Sequence, residues 1–342
     1  MIETLFFLSA GLFLGWSLGA NDAANIFGTA VSTRMVKFKT AAIIISVFVI
    51  IGSVFSGSGA QQTLGALGEI DSLPGAFVVA LAAALSIFMM TKLGLPVSTS
   101  QAVVGGIIGW NFFTGHDTDL QIVIKIVGTW IICPVLSAVI AFLLYKMVKR
   151  FINKRKIHLL SLDHYTRLGL IIAGAFGSYS LGANNIANVM GVFTDSMKLN
   201  SIKIMGILEL NSTQQLFFLG AIAIAIGVCT YSKRVMMTVG NDIYKLSSMS
   251  ALLVVLSHSI VLFLFASEGL KIFLESHGLP SLSLVPVSST QAVVGAVIGI
   301  GLASGGRNIN FRLVGRIGLG WIVMPVISAI ISFIMMFFMQ NV

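Results

Sequence analysis

The sequence predicts an all-α polytopic membrane protein, built as an inverted-topology repeat with broken helices. Three observations predict it. Of 342 residues, 56% are hydrophobic and only 10% are charged, against roughly 25% charged in ordinary soluble chains. Apolar runs recur along the whole length, many of them near the ~20 residues a helix needs to cross a bilayer, and the dyad alternation of a β-barrel is absent. Polar motifs set within those runs occur twice, in the same order in each half.

Composition closes off other classes. The net charge of +9 lies in Lys and Arg clusters between apolar runs, which is positive-inside patterning and not a nucleic-acid surface. Cys133 and Cys229 each sit inside an apolar run, so neither a disulfide framework nor a zinc site is expected. The run Leu5–Leu18 lacks a basic leader and reads as a retained span. No nucleophile–base pair stands out, so an enzyme is not expected, nor any cofactor.

Spans are expected at about 4–28, 41–57, 76–91, 96–110, 122–145, 166–190, 204–230, 251–266, 286–303 and 313–339. Arg34, Lys37 and Lys39 follow the first and Lys92 the third. The cluster Lys146, Lys149, Arg150, Lys154, Arg155, Lys156 follows the fifth, and Lys233, Arg234 and Lys245 the seventh. Arg307 and Arg312 precede the last. Basic segments therefore alternate with acidic ones. This puts the 146–156 segment in the cytoplasm and both termini outside a plasma membrane. Lys198, Lys203 and Lys271 are exceptions. The expected division is a first repeat at 1–148, a basic cytoplasmic linker at 149–165 and a second repeat at 166–342.

The repeats are explicit. Gly19-Ala20-Asn21-Asp22-Ala23-Ala24-Asn25 returns as Gly182-Ala183-Asn184-Asn185-Ile186-Ala187-Asn188. Pro96-Val97-Ser98-Thr99-Ser100-Gln101-Ala102 returns as Pro286-Val287-Ser288-Ser289-Thr290-Gln291-Ala292. Trp130 and Pro134 return as Trp321 and Pro325. The second half is longer between its first two repeated elements, and residues 232–250 are the expected insertion. An odd number of crossings per half inverts the second half. Charge agrees: Asp117 and Asp119 precede Trp130 and the basic cluster follows it. Arg307 and Arg312 precede Trp321 and the segment 337–342 is uncharged. Inverted repeats are a common plan of secondary transporters.

Polar clusters at membrane depth cost several kcal/mol unless they line a cavity or find partners. The 96–110 segment is too short for a full span, which makes it a half-helix. Proline suits a helix first turn, and the hydroxyls that follow would lie at a helix N-terminus, where free N–H groups and the helix dipole favour an oxyanion. Two such half-helices meeting from opposite sides make a cradle for a tetrahedral anion; the competing reading is that Ser, Thr and Gly merely pack. Asp22 alone is acidic in the Asn motifs. Carboxylate and amide oxygens suit a small hard cation such as sodium; a proton is the other way to neutralise Asp22, and capping a helix break is the structural alternative. Gln61-Gln62 and Asn211-Ser212-Thr213-Gln214-Gln215 read either as a looser repeat near the site or as polar span ends. Glu209 is the strongest further acid, and His258 reads as a satisfied intramembrane histidine.

These paired motifs closely resemble the inorganic phosphate transporter (PiT) family over essentially the whole chain. The resemblance implies a dimeric secondary carrier for inorganic phosphate with inverted repeats and re-entrant helical hairpins, and the run Gly19–Val31 is similar to the sodium-coupled branch. By position, Asn25, Ser98, Thr99, Ser100, Asn188, Ser288, Ser289 and Thr290 are expected to bind phosphate. Asn21, Asp22, Gln101, Asn184, Asn185 and Gln291 are expected to bind sodium, the coupled substrate. Asn185 stands where the second signature usually has Asp, and Val49 where relatives often have Glu; both remove negative charge. The alternatives are a proton-coupled carrier, a carrier of another oxyanion such as sulfate, and a passive anion channel.

Overall fold

The computed structural model describes residues 2–68, 70, 72–92, 97–155, 158–204, 208–239, 246–306 and 309–340. Its helices are α1 (Ile2–Ser32), α2 (Phe38–Ser56), α3 (Ser58–Gly65), α4 (Leu73–Lys92), α5 (Thr99–Thr114), α6 (Leu120–Arg155) and α7 (Leu159–Met190). In the second half follow α8 (Ser212–Thr230), α9 (Ser232–Val239), α10 (Ser248–Ala266), α11 (Glu268–Ser276), α12 (Ser289–Ala303) and α13 (Phe311–Met339). A short antiparallel pair, β1 (Ile202–Ile204) and β2 (Leu208–Leu210), lies between α7 and α8.

Among the described residues, seven helices are long and apolar enough to cross a membrane: α1, α2, α4, α6, α8, α10 and α13. The outer faces of α6 and α13 leave Ile124, Ile131, Val135, Ile322, Val326 and Phe338 exposed, as lipid contact requires. α7 has 32 residues but carries the second Asn motif. α5 and α12, at 16 and 15 residues, rise about 24 Å, short of the ~30 Å hydrocarbon core.

The two halves pack reciprocally. α12 lies against α6, and α5 against α13; α2 lies against α7, and α1 against α8. Glycines set these contacts. Gly295 faces the Pro134 carbonyl and Gly299 that of Ala138, while Gly105 faces the Pro325 carbonyl and Gly109 that of Ala329. Both pairs advance in step, so α12 runs parallel to α6 and α5 parallel to α13. A Cβ at Gly295 or Gly105 would overlap main chain, which cannot move aside as a side chain can. The first motif's Gly19 faces the Ile224 carbonyl in α8, and its copy Gly182 faces that of Val49 in α2.

Several expected boundaries shift. The 149–165 linker is mostly helical: α6 runs to Arg155 and α7 begins at Leu159. The seventh span starts at Ser212, not near 204, because Asn211 caps α8. Its side chain accepts from the Gln214 N–H at 2.9 Å, and Gln214 accepts from the Asn211 N–H at 3.1 Å. This capping box explains the polar run 211–215. Glu209 is therefore not in a span. It lies exposed on β2 with Lys203 at 3.9 Å, and Lys271 similarly meets Glu275 at 4.0 Å. Exposed pairs of this kind add about 0–1 kcal/mol, but they offset two of the misplaced basic charges.

The insertion also lies elsewhere. α9 is the counterpart of α3, since each is an eight-residue helix following a 19-residue one. The extra length of the second half is in 191–211, holding the β pair, and 267–288, holding α11. Glu69, Asp71, Pro96, Lys156, Lys245 and Arg307 lie outside the described residues.

Candidate functional site

α5 and α12 begin alike. Ser98 is the N-cap of α5, its Oγ accepting from the Gln101 N–H at 3.4 Å; Ser288 caps α12, accepting from the Gln291 N–H at 3.2 Å. Pro286 therefore precedes the cap and does not occupy the first turn as expected. The two N-terminal ends meet, with Thr290 Oγ1 donating to the Val97 carbonyl at 2.7 Å. Ser98, Thr99, Ser100, Gln101 and Ser288, Ser289, Thr290, Gln291 are all buried, none more than 3% exposed.

Both Asn motifs reach the second of these ends. From α1, Asn25 Nδ2 donates to Ser289 Oγ at 3.0 Å and to Thr290 Oγ1 at 3.4 Å. From α7, Asn184 grips the Val287 backbone twice, donating to its carbonyl at 2.7 Å and accepting from its N–H at 3.0 Å. Within α7, Asn185 Oδ1 accepts from Asn184 Nδ2 at 3.3 Å and from Asn188 Nδ2 at 3.0 Å. One residue outside both motifs joins them: His258 of α10, fully buried, has Nε2 3.0 Å from Ser289 Oγ. Sequence reasoning missed it. The available signal was a histidine flanked by Ser257 and Ser259 deep in an apolar run.

Hydrogen-bond capacity then sorts the expected roles. The Asn184 and Asn185 oxygens already accept one and two N–H groups, and a carbonyl oxygen has two lone pairs. Asn184 is thus a tether for the α12 end. Asn185, with no lone pair left, is no cation ligand in this arrangement. Asn188 behaves oppositely to expectation: its Oδ1 is buried without a partner, an acceptor that suits a cation and not phosphate. Asp22 Oδ1, Gln101 Oε1 and Gln291 Oε1 are likewise buried and unpartnered among the described residues, as are the hydroxyls of Thr99 and Ser100 and the Asn185 Nδ2. Each such group costs about 1–3 kcal/mol while unsatisfied. Asn21 is half-buried and takes no part in these hydrogen bonds. Val49 is buried apolar core. Gln61 of α3 is engaged elsewhere, donating to Thr194 at 2.7 Å. Among the described residues no three His, Cys, Asp or Glu side chains are grouped to hold a metal.

Comparison with known proteins leads to the same family that the motifs resemble. The phosphate transporter family model matches residues 18–163 and 158–332. A protein of Methanocaldococcus jannaschii named "Putative phosphate permease" is 30% identical over 327 residues, covering 96% of this chain and 95% of that one. A sulfate permease of Bacillus subtilis is 29% identical over 337 residues, covering 95% of this chain and 84% of its own. A solved structure titled "The sodium-dependent phosphate transporter" shares the fold, with a TM-score of 0.77, 22% identity and 100% of both chains covered. The chain belongs to the phosphate transporter family.

Proposed function

We propose that this protein imports inorganic phosphate by symport with sodium, using alternating access around the site where α5 and α12 meet. The observation that carries the proposal is the sorted set of unpartnered buried groups there. Asp22 Oδ1, Gln101 Oε1, Gln291 Oε1 and Asn188 Oδ1 are acceptors without donors, while the Thr99 and Ser100 hydroxyls and Asn185 Nδ2 offer hydrogens. A hard cation satisfies the first group, and phosphate oxygens at two helix N-termini satisfy the second. The two ligands together satisfy both groups. The full burial of these side chains means that one end or the other must open for exchange, as alternating access demands.

The expected result is phosphate uptake by proteoliposomes of the purified protein under an inward sodium gradient, with little uptake when choline replaces sodium. Uptake that follows a pH gradient and ignores sodium would assign a proton to Asp22 instead. Because a sulfate permease is among the relatives, excess sulfate belongs in the same assay; displacement of phosphate by equimolar sulfate would overturn the substrate assignment.

The proposed topology is inverted, in the plasma membrane, with both termini outside, and the parallel packing supports it. α12 runs parallel to α6, so Ala303 points the same way as Arg155. α13 starts from that side and crosses back. In a Cys229→Ser background, a cysteine replacing Lys154 and one replacing Gln340 should react with a membrane-impermeant thiol reagent from opposite sides. Labelling from one side would end the inverted-repeat reading. The proposed assembly is a homodimer.

A further inference from the structure

We infer that His258 is a positioning residue of the anion site, donating from Nε2 to Ser289 Oγ so that the Ser289 hydroxyl hydrogen is left for an oxygen of the bound anion. The inference rests on the reading that the meeting ends of α5 and α12 bind phosphate.

A serine hydroxyl has one hydrogen and two lone pairs. Asn25 Nδ2 fills one lone pair of Ser289 Oγ at 3.0 Å, and His258 Nε2, also at 3.0 Å, takes either the other lone pair or the hydrogen. The surroundings of the ring decide between them. His258 is fully buried, and its Nδ1 has no partner among the described residues. The flanking hydroxyls are turned away: Ser257 donates to the Leu253 carbonyl at 2.7 Å and Ser259 to that of Val255 at 2.6 Å. If Nε2 accepted from Ser289, the neutral ring would carry its hydrogen on Nδ1, leaving a buried donor with nothing to meet. With the hydrogen on Nε2, Nδ1 is only an unfilled acceptor, the less costly of the two. Both lone pairs of Ser289 are then occupied, and its hydrogen has one direction left.

This matters because the neighbouring hydroxyl is committed. Thr290 donates to the Val97 carbonyl at 2.7 Å, so it holds the two ends together and has no hydrogen for a ligand. Among the described residues the first half has no equivalent device. α4 contains no histidine, and Thr99 Oγ1, the counterpart of Ser289 Oγ, has no partner among the described residues. His258 thus makes Ser289 the pre-oriented donor of the pair.

The test is sodium-driven uptake of inorganic phosphate by the full chain in proteoliposomes, comparing wild type with His258→Asn, His258→Gln, Ser289→Ala and the double variant His258→Asn/Ser289→Ala. A glutamine amide nitrogen reaches about where Nε2 lies; an asparagine reaches only to Nδ1. His258→Asn should raise KM about tenfold, the size of one mis-set hydrogen bond to a charged ligand, with kcat within about twofold. His258→Gln should return KM to within about threefold of wild type. The double variant should match Ser289→Ala, since His258 acts only through that hydroxyl. An unchanged or lowered KM in His258→Asn overturns the relay, as does a loss that adds to that of Ser289→Ala. If His258→Asn does not fold, as judged by detergent-phase melting and gel filtration, His258→Gln decides: a KM more than about tenfold above wild type overturns the relay. Wild-type protein that takes up no phosphate overturns the transport reading and the relay together; wild-type uptake with unaltered His258→Asn overturns the relay alone.

Discussion

Asp22→Asn should abolish sodium-driven phosphate accumulation while leaving the fold intact. Asp22 is 2% exposed and its Oδ1 meets no donor among the described residues, and no described ion pair involves it. Phosphate near neutral pH carries between one and two negative charges. Two unit charges 4 Å apart repel by about 4 kcal/mol at an effective dielectric of 20, a factor of nearly a thousand in affinity. Sodium held between Asp22 and the amide oxygens turns that repulsion into attraction. Phosphate should therefore bind tightly only with sodium present, and sodium should bind more tightly with phosphate present by the same factor. Asparagine keeps the shape and removes both the charge and the repulsion. The variant should bind sodium at least about tenfold more weakly, retain weak phosphate binding, and show that binding to be insensitive to sodium. Phosphate binding to purified protein in sodium and choline buffers at one pH is the measurement. Equal affinities in the two buffers for wild type and variant alike would remove sodium from the mechanism.

The hairpin hydroxyls should show the other large effect, and the two ends should not respond identically. Replacing Ser98, Thr99 and Ser100 together by Ala removes two unpartnered donors, Thr99 and Ser100. A hydrogen bond to a charged ligand contributes roughly 1.5–3 kcal/mol, so phosphate affinity should fall by about 100-fold or more, with less than full additivity between neighbours. Replacing Ser288, Ser289 and Thr290 removes the Ser289 donor, the contacts that Asn25 makes to it and to Thr290, and the Thr290–Val97 tie between the ends. This triple variant should lose phosphate affinity to a similar degree and lose more thermal stability than the first, which gives up only the Ser98 cap of α5. Thr290→Ala alone separates the two causes, because its hydrogen is already given to Val97. It should lower the melting temperature more than it lowers affinity. Isothermal titration with phosphate in sodium buffer and thermal melts in detergent read both quantities. Unchanged affinity in the two triple variants would place the anion elsewhere.

Much of this protein was legible from its sequence because bilayer physics leaves few options. A chain with 10% charged residues and repeated apolar runs must be helical. A carboxylate and five asparagines in paired motifs inside those runs must face each other or a ligand. The doubled motifs mark the four segments whose polar residues the fold brings into contact, since lipid tolerates such residues only for cause. The ends of elements were less legible. The polar run 211–215 reads alike as a site segment or a helix cap until Asn211 is seen closing α8, and Glu209 looked intramembrane only because the strand pair around it is apolar in composition.

What tertiary structure alone decided is which polar atom meets which. Asn185 and Asn188 are equivalent in type and spacing, yet one has its oxygen filled twice and the other has its oxygen bare. Thr290 and Ser289 are adjacent hydroxyls, yet one is a tie to Val97 and the other is set by His258. His258 is distant in sequence from every motif, and no periodicity points an imidazole in α10 at the cap of α12. Membership of a buried cluster follows from the cost of polarity in hydrocarbon, which composition and spacing reveal. Roles inside the cluster follow from lone pairs and hydrogens counted one by one, and that count exists only once α1, α7, α10 and α12 are packed together.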